Sequence, residues 1–270
     1  MTIRSSGPRP GRLATTFAEL RAAGRRALIP YITAGHPEPD ATGPLLDALV
    51  AAGADVIELG VPFSDPVADG PTIQRSSQTA LDAGITLDWT LRALERFRAA
   101  HDTPVVLFTY LNPILAYGVD RFIEDATRAG ADGVLITDLP VGADDGVEAA
   151  IEASDLALIR LIAPTTPPDR ARRIAARAQG FLYYIARKGV TGATAALREG
   201  ISDEIAALRA VASVPVAVGF GISTPDQAAL VARAADGVIV GSALIDAIER
   251  GGIAEGAQLV AALRRGIDAG

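Results

Sequence analysis

AAGADVIEL at 51–59, RAGADGVLI at 128–136 and ARAADGVIV at 232–240 are three copies of one local pattern in a chain of 270 residues. Each copy is the end of an apolar helix, then an aspartate, then a short run of strand-forming residues, and two copies carry a glycine before the aspartate. Glycine suits the left-handed conformation in which a chain leaves a helix and turns into a strand. The repeated unit favours a closed barrel of eight strands over an open doubly wound sheet.

Eight candidate strands extend this pattern over the chain, each rich in β-branched residues: 27–33, 55–59, 104–109, 133–137, 157–162, 181–185, 214–218 and 237–240. Segments with apolar residues at helical spacing lie between them: 41–52, 91–100, 121–129, 170–178, 203–211 and 225–234. The alternation predicts a parallel sheet, and the continuously apolar strands predict that both of its faces are covered. We therefore expect an α/β fold, a single (β/α)8 TIM barrel.

One domain accounts for nearly the whole chain. Residues 1–12, rich in proline, glycine and arginine, are expected to form a flexible N-terminal arm, and residues 13–270 a single TIM-barrel domain. An extra N-terminal helix at 13–23 could cover the bottom of the barrel. The connection after the second strand, 60–103, is long enough for an inserted turn and helix. Long loops on rigid barrels tend to be functional, so part of the site is expected there.

The composition restricts the classes of protein to which the chain could belong. Hydrophobic residues make up 49% of it, enough for one large core. The absence of cysteine excludes disulfides and thiolate sites, and two histidines argue against a metal cluster. A net charge of -7 argues against a nucleic-acid partner. The sequence shows no secretion signal and no run of 18 apolar residues, so a cytoplasmic protein without a membrane span is expected.

Glu58 is the first candidate for a catalytic group. The alternation along 56–59 places Val56 and Glu58 on one face, so Glu58 points into the barrel mouth if its neighbours face the helices. Partial desolvation there would raise the pKa of the Glu58 carboxyl group and suit it to general acid catalysis. The alternative is a structural ion pair with an arginine such as Arg160.

The loop that follows, GVPFSDPVADGPT at 60–72, contributes two more carboxylates, Asp65 and Asp69. Its three prolines and two glycines restrict it to few conformations. Asp65 precedes a proline and Asp69 precedes a glycine, so turn formation is one explanation for both. Because Asp69 and Glu58 belong to one strand-to-helix connection, the other explanation for Asp69 is a pair of carboxylates that flank a substrate.

Glycine motifs after the last two strands predict a phosphate site. GFGIS at 219–223 precedes a helix that begins near Pro225, and Gly241 and Ser242 precede a helix over 243–248. Two helix N-termini would supply amide donors and positive dipole ends, which is the recurrent phosphate site of this fold. Either motif alone could also be an ordinary helix cap.

The connection after the sixth strand, ARKGVTGAT at 186–194, is polar and rich in glycine, as expected of a lid or a further phosphate contact. It contains Lys188, the only lysine of the chain. One hypothesis is that Lys188 forms a Schiff base with a substrate carbonyl. Because it follows the strand, the alternative is an exposed or phosphate-steering charge.

Five motifs resemble the tryptophan synthase α-subunit family: ELGVPFSDPVADGPTIQ at 58–74, ITDLP at 136–140, YYIARKGVTG at 183–192, VGFGIS at 218–223 and VGSALI at 240–245. The resemblance runs from about Leu13 to the C-terminal helix, and the first motif is the most specific. It implies a lyase of tryptophan biosynthesis that cleaves indole-3-glycerol phosphate to indole and glyceraldehyde 3-phosphate by retro-aldol acid–base catalysis. No cofactor is implied in this subunit, because the indole ring is itself the electron sink once C3 is protonated.

The same resemblance assigns roles to individual residues. Glu58 corresponds to the acid and base that protonates C3, and Asp69 to the carboxylate that holds the indole N–H. Tyr183 corresponds to a tyrosine near the glutamate, with a core aromatic as its alternative. Four further positions would bind the phosphate group of the substrate: Gly192, Gly221, Gly241 and Ser242. Ile73 and Phe220 would line the pocket for its indole ring.

The family's usual partner is a β-subunit that carries pyridoxal phosphate, and the resemblance implies an α2β2 assembly. Four residues of this chain would face that partner: Asp65, Pro66, Asn112 and Pro140. Two residues depart from the family pattern. His36 stands where the family has an acidic or aromatic residue, and Lys188 stands where it has a small one.

Four other functions stay open at this point. A stand-alone indole-3-glycerol-phosphate lyase would keep every catalytic residue and release free indole. A class I aldolase would use Lys188. A non-catalytic barrel that only activates a partner would not need Glu58 and Asp69. A phosphosugar isomerase would explain the glycine motifs but not the stretch 58–74.

Overall fold

The computed structural model describes residues 11–185, 200–219 and 221–270. Its eight strands are β1 (Ala27–Thr33), β2 (Ile57–Gly60), β3 (Val105–Thr109), β4 (Gly133–Ile136), β5 (Ala157–Ile162), β6 (Leu182–Ile185), β7 (Val216–Gly219) and β8 (Gly237–Val240). They form a closed barrel in chain order, in which each strand pairs in parallel with the next and β1 pairs with β8. The predicted barrel is confirmed, and its strand ends lie within two residues of the predicted ones.

Eleven α-helices occur in the described part of the chain: α1 (Arg12–Ala22), α2 (Thr42–Ala51), α3 (Pro71–Asp82), α4 (Leu87–Arg98), α5 (Leu111–Tyr117), α6 (Val119–Ala129), α7 (Asp145–Glu152), α8 (Pro168–Arg177), α9 (Ile201–Val211), α10 (Pro225–Ala234) and α11 (Ser242–Ala269). A 3-10 helix, Pro39–Ala41, precedes α2. The predicted N-terminal helix is α1, which begins at Arg12. The predicted insert is α3, and α4 corresponds to the helix predicted at 91–100. The sequence did not predict α5 and α7, which are too short to show a clear apolar period.

Two apolar layers account for the alternation along the strands. Val56 lies inside the barrel in a cluster that also contains Phe17 of α1, whose ring centroid is 5.8 Å from that of Phe181. The helix α1 therefore packs against the residues that fill the barrel. Ile57 and Leu59 belong instead to the outer layer, between the strands and the helices. Glu58, two residues after Val56, consequently faces inward at the C-terminal end of β2.

The repeated aspartate of the sequence has one structural role in all three copies. Asp55, Asp132 and Asp236 each accept a hydrogen bond from a backbone N–H near the start of the preceding strand, at 2.8, 2.8 and 2.9 Å. The donors are Leu28, Val105 and Val216. The side chain of Gln179 accepts the corresponding N–H of Leu158 at 2.8 Å. One such hydrogen bond therefore fixes the N-terminal end of each of four strand pairs: β1–β2, β3–β4, β5–β6 and β7–β8.

Candidate active site

A cavity of about 320 Å³ opens at the C-terminal ends of the strands. It brings together residues from distant parts of the sequence: Tyr31, Glu58, Ala68, Asp69, Gly70, Ile73, Phe108, Thr137, Leu161, Tyr183, Ile185, Gly219, Gly221, Ile222, Ile239, Gly241 and Ser242. Seven predicted site residues are among them: Glu58, Asp69, Ile73, Tyr183, Gly221, Gly241 and Ser242. The other two, Gly192 and Phe220, lie outside the described residues, as does Lys188.

Glu58 is the most deeply buried carboxyl group of this cavity. It is 1% exposed, and its Oε1 has no hydrogen-bond partner among the described residues. Burial raises the pKa of Glu58 to about 8. The alternative ion pair with Arg160 is wrong, because Arg160 bonds Glu148 and Glu152 in the helix layer, at 2.6 Å each. Glu58 therefore holds a proton at neutral pH and has an oxygen free to meet a ligand.

Asp69 is held by Tyr110, the residue that follows β3 and precedes α5. The Tyr110 hydroxyl donates to Asp69 Oδ2 at 3.0 Å and accepts the Ala68 N–H at 3.0 Å. Burial raises the pKa of Asp69 to about 6, while the Tyr110 hydrogen bond acts in the opposite direction. The Asp69 N–H also donates to the Pro66 carbonyl at 3.0 Å. The backbone of Asp69 thus forms a turn, and its side chain lies in the cavity.

Tyr183 and Tyr31 form two further walls of the cavity. Burial and the negative charges of Glu58 and Asp69 raise the pKa of Tyr183 well above its usual value, so it remains neutral. A Cβ at Gly219 would lie 2.5 Å from the Tyr183 hydroxyl, so a glycine is required for this ring to fit. Tyr183 is therefore a neutral wall of the cavity that the two carboxylates line.

Tyr31 was not identified from the sequence, although it lies on the inward face of β1. Its ring meets that of Phe108 edge to face, with centroids 5.2 Å apart. Ser76 donates to the Ile73 carbonyl at 2.9 Å, so Thr33 donates to Ser76 at 2.7 Å and Tyr31 donates to Thr33 at 3.1 Å. This chain of hydroxyl groups fixes Tyr31 and Ile73, two walls of the apolar part of the cavity. Alternation from Ile29 to Tyr31 could have indicated the position.

The glycine motifs follow β7 and β8, and a Cβ at Gly241 would lie 3.7 Å from Tyr31 and 4.0 Å from Ile73. Gly221 has a φ of 62°, a conformation that favours glycine, and Thr224 caps α10 by accepting the Gln227 N–H. Gly241 is the N-cap of α11, and Ser242 is the first residue of that helix. The positive end of α11 therefore lies at the cavity, as a phosphate group requires.

The four residues predicted to face a partner are all at the surface, but they do not line the cavity. Asp65, Asn112 and Pro140 are exposed, and Pro66 is half-buried. Val67, between the two aspartates of the loop, is 83% exposed. Asp65, Val67, Asn112 and Pro140 are thus accessible to a partner.

His36 is a buried residue outside the cavity. It is 4% exposed, and its Nε2 lies 3.8 Å from Glu249 Oε1. Burial lowers the pKa of His36.

Within residues 11–185, 200–219 and 221–270, no group of three or more histidine, cysteine, aspartate or glutamate side chains could hold a metal ion. Nor is any helix of these ranges long and apolar enough to cross a membrane.

Comparisons with known proteins agree on one family. The sequence model of the family described as tryptophan synthase alpha chain matches residues 17–266. The tryptophan synthase alpha chain of Geobacter sulfurreducens is 50% identical over 260 residues, which are 95% of this chain and 98% of that protein. The one from Xylella fastidiosa is 51% identical over 238 residues, 88% of this chain and 89% of that protein.

Solved structures give the same result. Tryptophan synthase subunit alpha from Legionella pneumophila superposes with a TM-score of 0.89 at 41% identity, over 96% of this chain and 99% of that one. A chain of tryptophan synthase from Mycobacterium tuberculosis, in an open form with BRD0059 bound, gives 0.87 at 37% identity, over 96% and 99%.

Proposed function

Since this chain belongs to the tryptophan synthase alpha chain family, we propose that it cleaves indole-3-glycerol phosphate with Glu58 and Asp69 as its working carboxylates. The products are indole and glyceraldehyde 3-phosphate. One observation carries the proposal. A buried carboxyl group with a raised pKa and a second carboxylate held by Tyr110 line the same cavity. Environments that separate the pKa values of two carboxyl groups are typical of acid–base sites.

The first step is proton transfer to the indole ring. With a pKa of about 8, Glu58 is protonated at neutral pH and can deliver its proton to C3. Positive charge then develops on the indole nitrogen. Asp69, with a pKa of about 6, is ionised at the same pH and accepts the indole N–H. Because the cavity is partly desolvated, the attraction between this carboxylate and the developing charge is stronger than in water.

The second step breaks the carbon–carbon bond and restores the enzyme. The Glu58 carboxylate accepts the proton of the side-chain hydroxyl group next to C3. As the aldehyde forms, the electrons of the broken bond return to the indole nitrogen and neutralise its charge. Glu58 ends protonated, so the cycle needs no other co-reactant. We propose on this basis that the subunit uses no cofactor and that pyridoxal phosphate belongs to its β-subunit partner.

The two ends of the substrate require different walls. The phosphate group would bind the amides around Gly221, Gly241 and Ser242 at the start of α11. The indole would pack against Tyr31 and Ile73, in the apolar part of the cavity. Glu58 and Asp69 line the same cavity, so the bond to be broken would lie beside them.

Indole release tests the function directly. We expect the purified chain to release indole slowly from indole-3-glycerol phosphate, and much faster when a β-subunit from the same source is added. The exposed residues Asp65, Val67 and Asn112 would contact that partner. Fast release that ignores the β-subunit would indicate the stand-alone lyase, and no release in either condition would refute the proposal. Trapping with borohydride tests the Lys188 hypothesis separately, because only a Schiff base is fixed by reduction.

The dependence of kcat/KM on pH should be bell-shaped, with limbs near pH 6 and pH 8. Activity rises as Asp69 loses its proton and falls as Glu58 loses its own, because the reaction needs an ionised Asp69 and a protonated Glu58. Rates measured from pH 5 to pH 9 on the chain alone would show both limbs. Asp69→Asn should remove the acid limb and keep the alkaline one. A profile flat over this range would contradict the assignment.

Tyr110→Phe should lower kcat/KM by roughly tenfold and move the acid limb to higher pH. The hydroxyl group of Tyr110 lowers the pKa of Asp69 and holds its carboxylate, and one hydrogen bond to a charged group contributes about 1.5–3 kcal/mol. The measurement is the pH profile described above. Tyr117→Phe is a matched control, because its hydroxyl group bonds Asp125 on α6 and lies outside the cavity. If Tyr110→Phe changes the rate without moving the acid limb, the tyrosine does not act through Asp69.

A further inference from the structure

Ser76 is a buried residue of α3 that the proposed mechanism does not use. It is 0% exposed, and its hydroxyl group donates to the carbonyl of Ile73, three residues earlier in the helix, at 2.9 Å. Its oxygen also meets the buried hydroxyl group of Thr33, on β1, at 2.7 Å. A hydroxyl group that donates to a carbonyl can only accept from a second hydroxyl group. Ser76 therefore sets the direction of the hydrogen bond that joins β1 to α3.

The same direction continues from Thr33 to Tyr31. Because the Thr33 proton goes to Ser76, the Thr33 oxygen accepts the proton of Tyr31, at 3.1 Å. Burial and the negative charge of Asp69 raise the pKa of Tyr31 well above its usual value, so Tyr31 keeps this proton. A Cβ at Gly60 would lie 2.2 Å from the Tyr31 oxygen, so that oxygen is close to the backbone of β2. The hydroxyl end of the Tyr31 ring is thus fixed by Thr33 and by β2.

The apolar cluster that these hydrogen bonds hold is small. Its buried members are Tyr31, Ile73 and Ile245, and Phe108 packs against them. The four residues come from β1, α3, α11 and β3, and all but Ile245 line the catalytic cavity. So few side chains make few contacts among themselves. The hydrogen bonds through Ser76 therefore have a large share in fixing where these walls stand.

We propose that Ser76 is a positioning residue for the indole ring, which acts through Thr33 to hold Tyr31 in place beside Ile73. The inference rests on the proposed function, because it takes the apolar part of the cavity as the site of the ring. Without the Ser76 hydroxyl group, Thr33 loses its acceptor on α3 and can turn its proton to Tyr31 instead. The Tyr31 ring is then no longer tied to α3. A ligand must order it on binding, which lowers the affinity.

The test is calorimetric titration of the full chain with 3-(indol-3-yl)propyl phosphate. This analogue keeps the ring and the phosphate group of the substrate but lacks the hydroxyl group that cleavage requires. Ser76→Ala should bind it at least about fivefold more weakly than the wild type does. Binding of glyceraldehyde 3-phosphate, which has no ring, should not change. Wild-type affinity of Ser76→Ala for the analogue, or an equal loss for glyceraldehyde 3-phosphate, would overturn the inference.

Ser77→Ala is the matched control. Ser77 is the next residue of α3 and is also buried, but it neither lines the cavity nor belongs to the chain of hydroxyl groups. The variant should bind both ligands as the wild type does. If it weakened binding of the analogue as much as Ser76→Ala does, the effect would come from α3 in general and the role of Ser76 would be refuted.

A double-mutant cycle shows whether Ser76 acts through Tyr31. Tyr31→Phe keeps the ring and removes the other end of the chain of hydroxyl groups. Added to Tyr31→Phe, Ser76→Ala should change the affinity for the analogue by less than about twofold. Losses that add in full would contradict the proposed route. Thr33→Ser, which keeps the middle hydroxyl group, should bind the analogue more tightly than Thr33→Val, which lacks it.

Turnover separates this inference from the proposed function. In Ser76→Ala, KM for indole-3-glycerol phosphate should rise at least about fivefold while kcat stays within about twofold, because Glu58 and Asp69 are unaltered. A wild type that binds the analogue but releases no indole would refute the reaction, and the titrations would still test Ser76. A wild type that cleaves the substrate, with an unchanged affinity in Ser76→Ala, would refute the role of Ser76 alone.

Discussion

Replacement of Glu58 by glutamine is expected to reduce kcat for indole release by about 10²–10⁴-fold. The amide has nearly the same shape as the acid, but it can neither give a proton to C3 nor accept one from the hydroxyl group. The loss should appear in kcat as well as in kcat/KM, because Glu58 transfers its proton only in the transition state and not in the bound ground state. Steady-state rates of the chain alone and with its β-subunit would measure both. Near-normal cleavage by Glu58→Gln would refute the role of this residue.

The stability of the same variant separates a chemical loss from a folding defect. Burial raises the pKa of Glu58 from 4.5 to about 8, so the folded protein holds this proton more tightly than the unfolded one. The free energy of unfolding of the wild type therefore falls as pH rises from about 4.5 to about 8, and Glu58→Gln lacks this penalty. Its Tm should exceed that of the wild type above pH 8. A variant that is inactive and also less stable at that pH would indicate misfolding instead.

Asp69→Asn is expected to lower kcat by about 10²–10³-fold, the usual effect of removing one group aimed at a developing charge. An asparagine can still contact the indole N–H, but it carries no negative charge to oppose the positive charge on the nitrogen. Binding of a non-reactive indole should change much less than the rate, because the ground state lacks that charge.

Asp120→Asn is a suitable control for this substitution. Asp120 is an exposed aspartate of α6 and does not line the cavity, so its loss changes the net charge by the same amount and should leave the rate unchanged. If Asp69→Asn reduced the affinity for indole as strongly as it reduced kcat, Asp69 would be a binding residue only.

The fold was predictable because its signals are local. The repeat at 51–59, 128–136 and 232–240 and the strand–helix alternation indicate the barrel, and the confirmed strands follow them closely. Glu58 followed from the two-residue alternation of β2. The same rule, applied to Ile159 and its neighbour, places Arg160 on the outer face and could have excluded its pairing with Glu58.

The contacts that hold the site were not predictable in the same way. Tyr110 lies 41 residues from Asp69, and their hydrogen bond joins two loops that only the closed barrel brings together. The chain of hydroxyl groups from Tyr31 to Ser76 also crosses from β1 to α3. Contacts between residues so far apart produce no periodic pattern in a single sequence from which they could be predicted. The roles of Gly192, Lys188 and Phe220 remain predictions, since these residues lie outside the described ranges.

The hydrogen bonds that fix the strand starts at the N-terminal end of the barrel also determine which side chains face the cavity at its C-terminal end. A parallel strand that slips by one residue turns every side chain to the opposite face. For β2, a slip would exchange Glu58 with Leu59, leaving a carboxyl group among the helices and a leucine in the cavity. Asp55, Asp132, Gln179 and Asp236 hold the four strand pairs in alignment, far from the substrate. A strand pair that is misaligned at the N-terminal end of the barrel would therefore lose catalytic activity in the cavity at the C-terminal end.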